Sequence, residues 1–493
     1  METSARPWSA LWALLIGFFM ILMDTTIVSI ANPAILAAFA ADLSLVIWAT
    51  SAYLLAYAAP LLITGRLGDR FGPKRVYLAG LAVFTLASLA CGLAGSIGVL
   101  VAVRAVQGIG AAMMTPQTMA IITRIFPPQG RGAAMGLWGS VAGVATLVGP
   151  LLGGVLVQTL GWEWIFFVNV PVGVVGFIAA WRLVPALSTR AHRIDGLGVA
   201  LSGVGMLFLV FAIQEGRSFD WGVIAGIVSI PGLLIAGIVL IVLFLVWQRV
   251  MRGEPLLPLT LFRDRSFSLS NAAIFLVGIA ITALPIPLAF YFQDARGLTP
   301  TVAALMIAPM AVVSGILGPY IGRLTDRIGP RWVTCGCALS AAGALTWYAL
   351  SLSADAPLGM LLLPSAVLGV GVAGIFAPVA SSATRNLPRE LAGAGSGAYS
   401  AIRQVGSVLG SAAVAAVMAM RIAAEAPGAA GAGSAGRAPA DVAGYAAALG
   451  QSLWLPASAF LLCAVVVAFY PPLARTALIQ TGSSIQTMNG GRR

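Results

Sequence analysis

The sequence predicts an all-α integral membrane protein with fourteen membrane-spanning helices arranged 6 + 2 + 6. Three observations carry that expectation. Of 493 residues, 59% are hydrophobic and only 9% charged, whereas soluble domains are about a quarter charged. A soluble fold this apolar would present large greasy patches to water. The apolar residues come in runs of about 20, the length that crosses a bilayer core. Short alternating segments, as barrel strands would show, are absent. Finally, one ten-residue segment recurs at a matching place in each half of the chain.

The runs lie at 9–31, 45–65, 76–95, 98–122, 133–158, 164–182, 196–214, 222–247, 267–292, 301–322, 333–353, 358–382, 393–420 and 447–471. The first continues past Asp24 towards Asn32 and Pro33 with no small-x-small site after a short core. It therefore reads as a retained span and not as a secretory leader. Basic residues orient the rest. Of 28 Lys and Arg, only Arg217, Arg296, Arg421 and Arg437 fall in loops after odd-numbered spans, and Arg104 and Arg403 lie inside spans. The remainder sit at the termini or after even-numbered spans, which puts both termini in the cytoplasm by the positive-inside rule. The net charge of +12 is then a topology signal and not a nucleic-acid footprint.

Several chemistries are excluded by what the chain lacks. Its one lysine, Lys74, follows Pro73, so no Gly-Lys-Ser/Thr phosphate loop exists and no ATP is consumed by that route. No lysine lies within a span to hold a Schiff base. The only histidine, His192, falls in a basic loop, where a solvated role is expected. Cys91, Cys335, Cys337 and Cys463 all fall in apolar runs; a pair two apart on a helix points to different faces and binds metal poorly. No metal and no cofactor are expected. Arginine in place of lysine, with abundant Ala and Gly, suggests a GC-rich bacterial source and hence the bacterial cytoplasmic (inner) membrane.

The repeat organises the whole chain. Gly65-Arg66-Leu67-Gly68-Asp69-Arg70-Phe71-Gly72-Pro73-Lys74 returns as Gly322-Arg323-Leu324-Thr325-Asp326-Arg327-Ile328-Gly329-Pro330-Arg331. Each copy closes an even-numbered span, the second and the tenth. Two six-span bundles, residues 1–190 and 263–475, are thus expected around an inserted pair at 191–262, with a tail at 476–493. The glycines permit a tight turn. Asp69, among Arg66, Arg70 and Arg75, can pair with a guanidinium or a helix N-terminus and exchange partners as the halves rock; Asp326 is its counterpart. A charged turn that only fixes topology is the plainer alternative.

This loop resembles the signature between spans two and three of the major facilitator superfamily. Four further segments agree. Leu100 through Gly110, with Arg104 and Gln107, resembles the buried-arginine motif of span four. Gly143 through Gly154, containing Gly149-Pro150-Leu151-Leu152-Gly153-Gly154, resembles the antiporter motif of span five. Leu22 through Val28 and Trp162 through Pro171 resemble the fourteen-span drug:proton antiporter branch, the QacA/EmrB group. The resemblance implies alternating access by two bundles, with export driven by proton entry. It makes the proton the coupling ion and small molecules the cargo. An adaptor protein is a further expected partner in a host with an outer membrane.

The halves have diverged. Aligning the repeats sets Gly136 against Gly397 and Gly149 against Gly410, so Pro150 falls opposite Ser411. Arg104 has no basic counterpart, since the stretch around Val367 is apolar. Coupling is therefore expected in the first half. Charges inside a bilayer default to function, and the spans hold only Asp24, Arg104 and Arg403. Asp24 lies about 20 Å from one membrane face and Arg104 about 9 Å from the other. In a core about 30 Å thick the two depths nearly coincide. Proton uptake by Asp24, gated by Arg104, is one reading; a static salt bridge is the other. The glycines of span five allow close helix approach, with or without a mechanistic role.

Candidates for a cargo cavity are Trp48, Tyr53, Tyr57, Gln107, Met113, Met114, Trp138, Tyr291, Gln293, Tyr399, Arg403 and Gln404, because such sites combine aromatic and Met surface with a few polar groups. Efflux of drugs or other amphipathic compounds is the leading expectation and dedicated export of one natural product or lipid the alternative. Nothing in the chain resembles an enzyme's nucleophile–base set. Residues 422–446, rich in Ala and Gly, read as a flexible external loop.

Overall fold

Long apolar runs satisfy their backbone within helices, the only open-chain solution in a bilayer core, and the computed structural model is helical accordingly. It describes residues 7–41, 43–127, 130–189, 195–216, 219–251, 254–426 and 441–471. His192, most of the segment 422–446 and the tail 476–493 lie outside these. Nineteen α-helices are present among the described residues. In the first half they are α1 (Pro7–Phe39), α2 (Leu43–Ala58), α3 (Leu61–Phe71), α4 (Pro73–Gly92), α5 (Ile97–Ile125), α6 (Arg131–Thr159), α7 (Trp164–Phe167) and α8 (Asn169–Leu183). An intermediate pair follows, α9 (Gly196–Glu215) and α10 (Ile230–Val250). The second half holds α11 (Arg265–Ala283), α12 (Pro285–Phe290), α13 (Pro300–Ile328), α14 (Pro330–Ser351), α15 (Leu358–Ala373), α16 (Phe376–Thr384), α17 (Ala392–Glu425), α18 (Val442–Ser452) and α19 (Trp454–Ala468).

Helix starts follow local chemistry. Ser96, Asp195, Ser229, Asp264, Thr299 and Asp441 each accept a hydrogen bond from the backbone three residues on, which satisfies an orphan donor. Twelve helical stretches among the described residues are long and apolar enough to cross a membrane. The expected runs 45–65 and 133–158 are occupied by α2 with α3, parted just before Pro60, and by the 29-residue α6. One expectation is corrected. The run 222–247 is not all helix: Val223–Ala225 (β1) pairs antiparallel with Val228–Ser229 (β2), and α10 begins only at Ile230. Gly226, at φ +54, supplies the left-handed turn that the hairpin needs.

The duplication is visible in the packing. A Cβ added at Gly136 of α6 would lie 2.5 Å from the Gly318 carbonyl of α13 and 3.1 Å from Gly322 Cα. One at Gly397 of α17 would lie 3.0 Å from the Leu61 carbonyl of α3 and 3.3 Å from Gly65 Cα. Further along, Gly149 packs on Met23 and Thr26 of α1, and Gly410 on Ile279 and Thr282 of α11. Thus α6 and α17 each touch the opposite half with one end and their own half with the other. The pairs that the repeat alignment sets together occupy matching places.

The intermediate helices α9 and α10 pack on each other, and α9 also meets α2, α3 and α17. Ile235, Ile238, Val239, Val242 and Val246 leave one side of α10 exposed, a surface suited to lipid. Apolar residues from both halves merge in one cluster at the end of the molecule that carries the arginine-rich loops: Leu11, Leu15, Met119, Ile122 and Trp138 pack with Phe376, Ala377 and Ala380. At the opposite end Ile27, Val28, Ile35, Leu100 and Trp162 form a cluster of first-half residues alone. Among the described residues, the cluster shared by both halves includes the arginine-rich end, and the one at the far end of the first half holds first-half residues alone.

Candidate functional site

Asp24 sits in the middle of α1, fully buried. Its neighbours Thr25 and Thr26 donate their hydroxyls back to Leu22 O at 2.7 Å and Met23 O at 3.0 Å, so they do not serve the carboxylate. Arg104, about two turns into α5, reaches across and donates from Nη1 to Asp24 Oδ2 at 2.5 Å. Gln107 lies on the same face of α5 three residues later. It donates from Nε2 to Asp24 Oδ1 at 2.9 Å and to Ser88 Oγ at 2.8 Å, and accepts from Arg104 at 2.6 Å. Asn169 adds a donor to Asp24 Oδ1 at 3.2 Å; it begins α8, where the span breaks after α7. Arg104 also donates to the Ala49 carbonyl at 3.0 Å and covers the Tyr53 ring at 4.2 Å and the Phe166 ring at 5.8 Å.

The two charges that the depths placed level are thus in contact, with both carboxylate oxygens bonded. Such a pair is stable only while both partners remain, because a lone buried charge is costly. Ser88 and Asn169 went unassigned in the sequence. Asn169 lies in a motif that resembles the drug:proton branch, but its spacing from Asp24 says nothing about contact.

The glycines of α6 link this site to the opposite half. Gly149 abuts Met23 and Thr26, on either side of Asp24, and Gly153 abuts Ile27. Gly143 faces Ser314 of α13, with an added Cβ 3.0 Å from its Oγ. Gly154 has open space around it, with nothing within 4 Å, so packing does not require a glycine there. Pro150 lies within α6; its side chain is outside the described set.

The repeated loop forms two reciprocal latches at the arginine-rich end. Asp69 accepts from the Gly393 and Ala394 amides at 2.9 Å each, capping the start of α17. Asp326 accepts from the Gly132 and Ala133 amides at 3.0 and 3.1 Å, capping the start of α6. Helix N-termini carry orphan donors and a positive dipole end, so carboxylates suit them. Asp69 is also paired with Arg124 at 2.8 Å, and Arg66 stands at 4.0 Å. No ion pair to Asp326 occurs among the described residues. Here two expected partners are corrected: Arg70 lies over the Phe71 ring and Arg75 is exposed, so neither serves Asp69. Arg124, from the far end of α5, takes that place. Arg66 mainly donates to the Leu256 carbonyl at 3.0 Å and to the Pro255 carbonyl, tying the latch to the segment after α10. Gly65 packs against Gly393 and Gly397, and Gly72 takes φ +95 at the turn into α4.

The cavity candidates separate into groups. Tyr57 donates to Thr115 Oγ1 at 3.2 Å and accepts from Arg403 Nη2 at 3.4 Å, a contact between halves. Tyr53 stacks on Tyr57 at 6.2 Å. Trp138 stacks on Phe18 at 4.6 Å. The Tyr53 hydroxyl, the Trp138 indole N–H and the Tyr399 hydroxyl are buried without a hydrogen-bond partner. Gln404 is buried beside Arg403. Others lie elsewhere. Gln107 belongs to the Asp24 network. Met113 and Met114 pack against Gly80 of α4, and Trp48 against Phe211 of α9. Tyr291 bonds the Ser353 carbonyl at 2.8 Å, and Gln293 is exposed on the one-turn π-helix Tyr291–Ala295. Side-chain type alone does not tell which face of a helix meets the opposite half.

Comparison with known proteins bears on the fold and the family. An uncharacterized MFS-type transporter of Mycobacterium tuberculosis is 50% identical over 463 residues, 92% of this chain and 79% of that protein. The tetracenomycin C resistance and export protein of Streptomyces glaucescens is 35% identical over 424 residues, 85% of this chain and 77% of its own length. Among solved structures, the human organic anion transporter MFSD10 (TETRAN) matches with a TM-score of 0.65 over 94% of this chain and 99% of that one. At 14% identity this is a likeness of fold alone. Residues 14–411 match the Major Facilitator Superfamily, and the chain belongs to that family of multi-pass membrane transporters.

Proposed function

We propose that the chain exports small hydrophobic or amphipathic compounds, drugs and antibiotics among them, across a bacterial cytoplasmic membrane in exchange for protons, by alternating access. The observation that carries this reading is the sealed Asp24–Arg104–Gln107 cluster, whose carboxylate is the one titratable acid in the middle of the first half. On this reading α2 with α3, and α6, add two crossings to the twelve, giving fourteen arranged 6 + 2 + 6. The moving bundles are 1–190 and 263–475, the pair at 191–262 is an accessory, and both termini are cytoplasmic. The arginine-rich end, latched by Asp69 and Asp326, is then the closed cytoplasmic side, and the other side is the route by which protons arrive.

The steps follow from the contacts. A proton bound by Asp24 cancels its attraction for Arg104 and weakens the bond between α1 and α5. Movement of α1 is felt at Gly149, which abuts Met23 and Thr26. From there α6 runs as one helix to Gly132, where Asp326 of the other half caps it. A proton at one end of α6 therefore bears on the latch at the other. Loss of the proton to the cytoplasm restores the ion pair and recloses the latch, while cargo leaves outward. An adaptor would extend the path where an outer membrane exists.

Drug-driven proton movement in everted vesicles tests the proposal. The Asp24→Asn variant should abolish it; coupling left unimpaired would sink the reading. Dedicated export of one natural product or lipid uses the same steps, and the similarity to the tetracenomycin C resistance and export protein supports that narrower version. A compound panel with and without a protonophore separates the two.

A further inference from the structure

The second half contains one charge in mid-span, and it is left uncompensated. Arg403 of α17 is half-buried. Among the described residues its sole hydrogen bond is the one at 3.4 Å to the Tyr57 hydroxyl. Among the described residues no carboxylate lies within ion-pair distance of it. Asp24, the acid of the first half's interior, is already taken up by Arg104, Gln107 and Asn169. A guanidinium has five N–H donors, so most of this one's capacity is unused. Charges within a membrane are ordinarily paired or face a polar cavity.

The surroundings are built to hold that guanidinium in place. Tyr57 is itself fixed by its bond to Thr115 on α5 and by stacking on Tyr53 at 6.2 Å. Gln404 adjoins it. The result is a cation held at the hydroxyl of a stacked tyrosine pair at the junction of the halves. A flat apolar body carrying an acid group would match both features, because guanidinium and carboxylate can pair through two parallel bonds.

We infer that Arg403, positioned by Tyr57, is an anion subsite, and that the cargo is an amphipathic organic acid: a carboxylate or a comparably acidic group on an aromatic or fused-ring skeleton. The inference rests on the exporter reading for its biological meaning, but its test is a binding measurement that does not need proton coupling. The probes are anthracene-9-carboxylate, its neutral methyl ester and the cationic 9-(aminomethyl)anthracene, titrated against the full chain in nanodiscs. The carboxylate should bind about tenfold tighter than the ester, and the amine weakest. Arg403→Gln should erase the difference between acid and ester while leaving ester affinity within about twofold. Arg403→Lys should keep part of the preference, since a point charge remains but the paired geometry is lost.

Equal affinity of acid and ester in the unmodified protein would overturn the assignment. So would a uniform loss for all three probes in Arg403→Gln, which would make the arginine a strut between the halves. Should Arg403→Gln fail to fold, as judged by gel filtration and melting, Tyr57→Phe is the second variant. It removes the hydroxyl anchor and should reduce the acid preference severalfold; an unchanged preference counts against the site. Asp24→Asn should retain the full preference, so a failure of proton antiport and a failure of the anion subsite read out separately.

Discussion

Gly149 lies against Met23 and Thr26 of α1, and Gly410 lies against Ile279 and Thr282 of α11. Gly108 packs on the Tyr53 carbonyl, and Gly369 packs on the Met310 carbonyl. These matched contacts set Asp24 opposite Ala280 and Tyr53 opposite Met310, and the same spacing sets Arg104 opposite Ser365. Helix approach through glycine is thus conserved between the repeats, while the charge cluster belongs to one of them. Backbone proximity is a requirement of both bundles. At the matching place the second copy holds the small residues Ala280 and Ser365, and the Ser365 hydroxyl accepts from the Met310 amide at 3.2 Å.

The comparison can be broken most severely at the ion pair. Arg104→Ser copies the second repeat and leaves the Asp24 carboxylate buried alone, which should cost about 3–5 kcal/mol, read as a large drop in melting temperature in detergent. The double variant Asp24→Ala with Arg104→Ser should regain most of that stability and none of the proton coupling. A double variant as unstable as the single would show that Arg104 acts chiefly through its other contacts.

The latches offer the next contrast. Asp69→Ala removes two amide bonds and strands Arg124, a loss of about 3 kcal/mol. Asp326→Ala removes two amide bonds alone and should cost about 1–2 kcal/mol. Hydrogen exchange at Gly393 and Ala394, against Gly132 and Ala133, measures each; equal deprotection would refute the asymmetry. At the glycines, Gly410→Ala meets the Ile279 backbone, with Cα at 2.6 Å, and should destabilise by about 2 kcal/mol. Gly149→Ala meets the Thr26 hydroxyl, which can rotate, and should destabilise less while slowing efflux. Smallest of all, Gly154→Ala should stay within about 0.5 kcal/mol, measured by melting.

Much of this was legible in the sequence, for identifiable reasons. Apolar runs and arginine placement betray helices because a bilayer leaves the chain few options. Asp24 and Arg104 were conspicuous because charge is rare at that depth. Arg124 escaped notice as the partner of Asp69, since an arginine in a basic loop is indistinguishable from a topology signal. A helix N-terminus was an expected partner for Asp69 and its counterpart Asp326, but which helix each caps was not legible, because backbone amides carry no side-chain signature. The hairpin at 223–229 was hidden by hydropathy, which scores Val and Ile alike in helix and strand. Met113 and Gln293 were misplaced because a residue's type does not reveal which neighbour its helix face meets.

The one-sided ion pair also has an electrical meaning. While Asp24 and Arg104 remain in contact their charges cancel, and the membrane potential finds little to act on. In the proton cycle proposed above, neutralising Asp24 leaves the charge of Arg104 unbalanced, and an elementary charge carried through the whole field is worth about 2.3 kcal/mol per 100 mV. At the matching depth α11 offers Ala280 and α15 offers Ser365, which feel no such force. On that reading voltage pulls on α5 but not on its counterpart α15, and in the second half the field acts instead on Arg403 of α17.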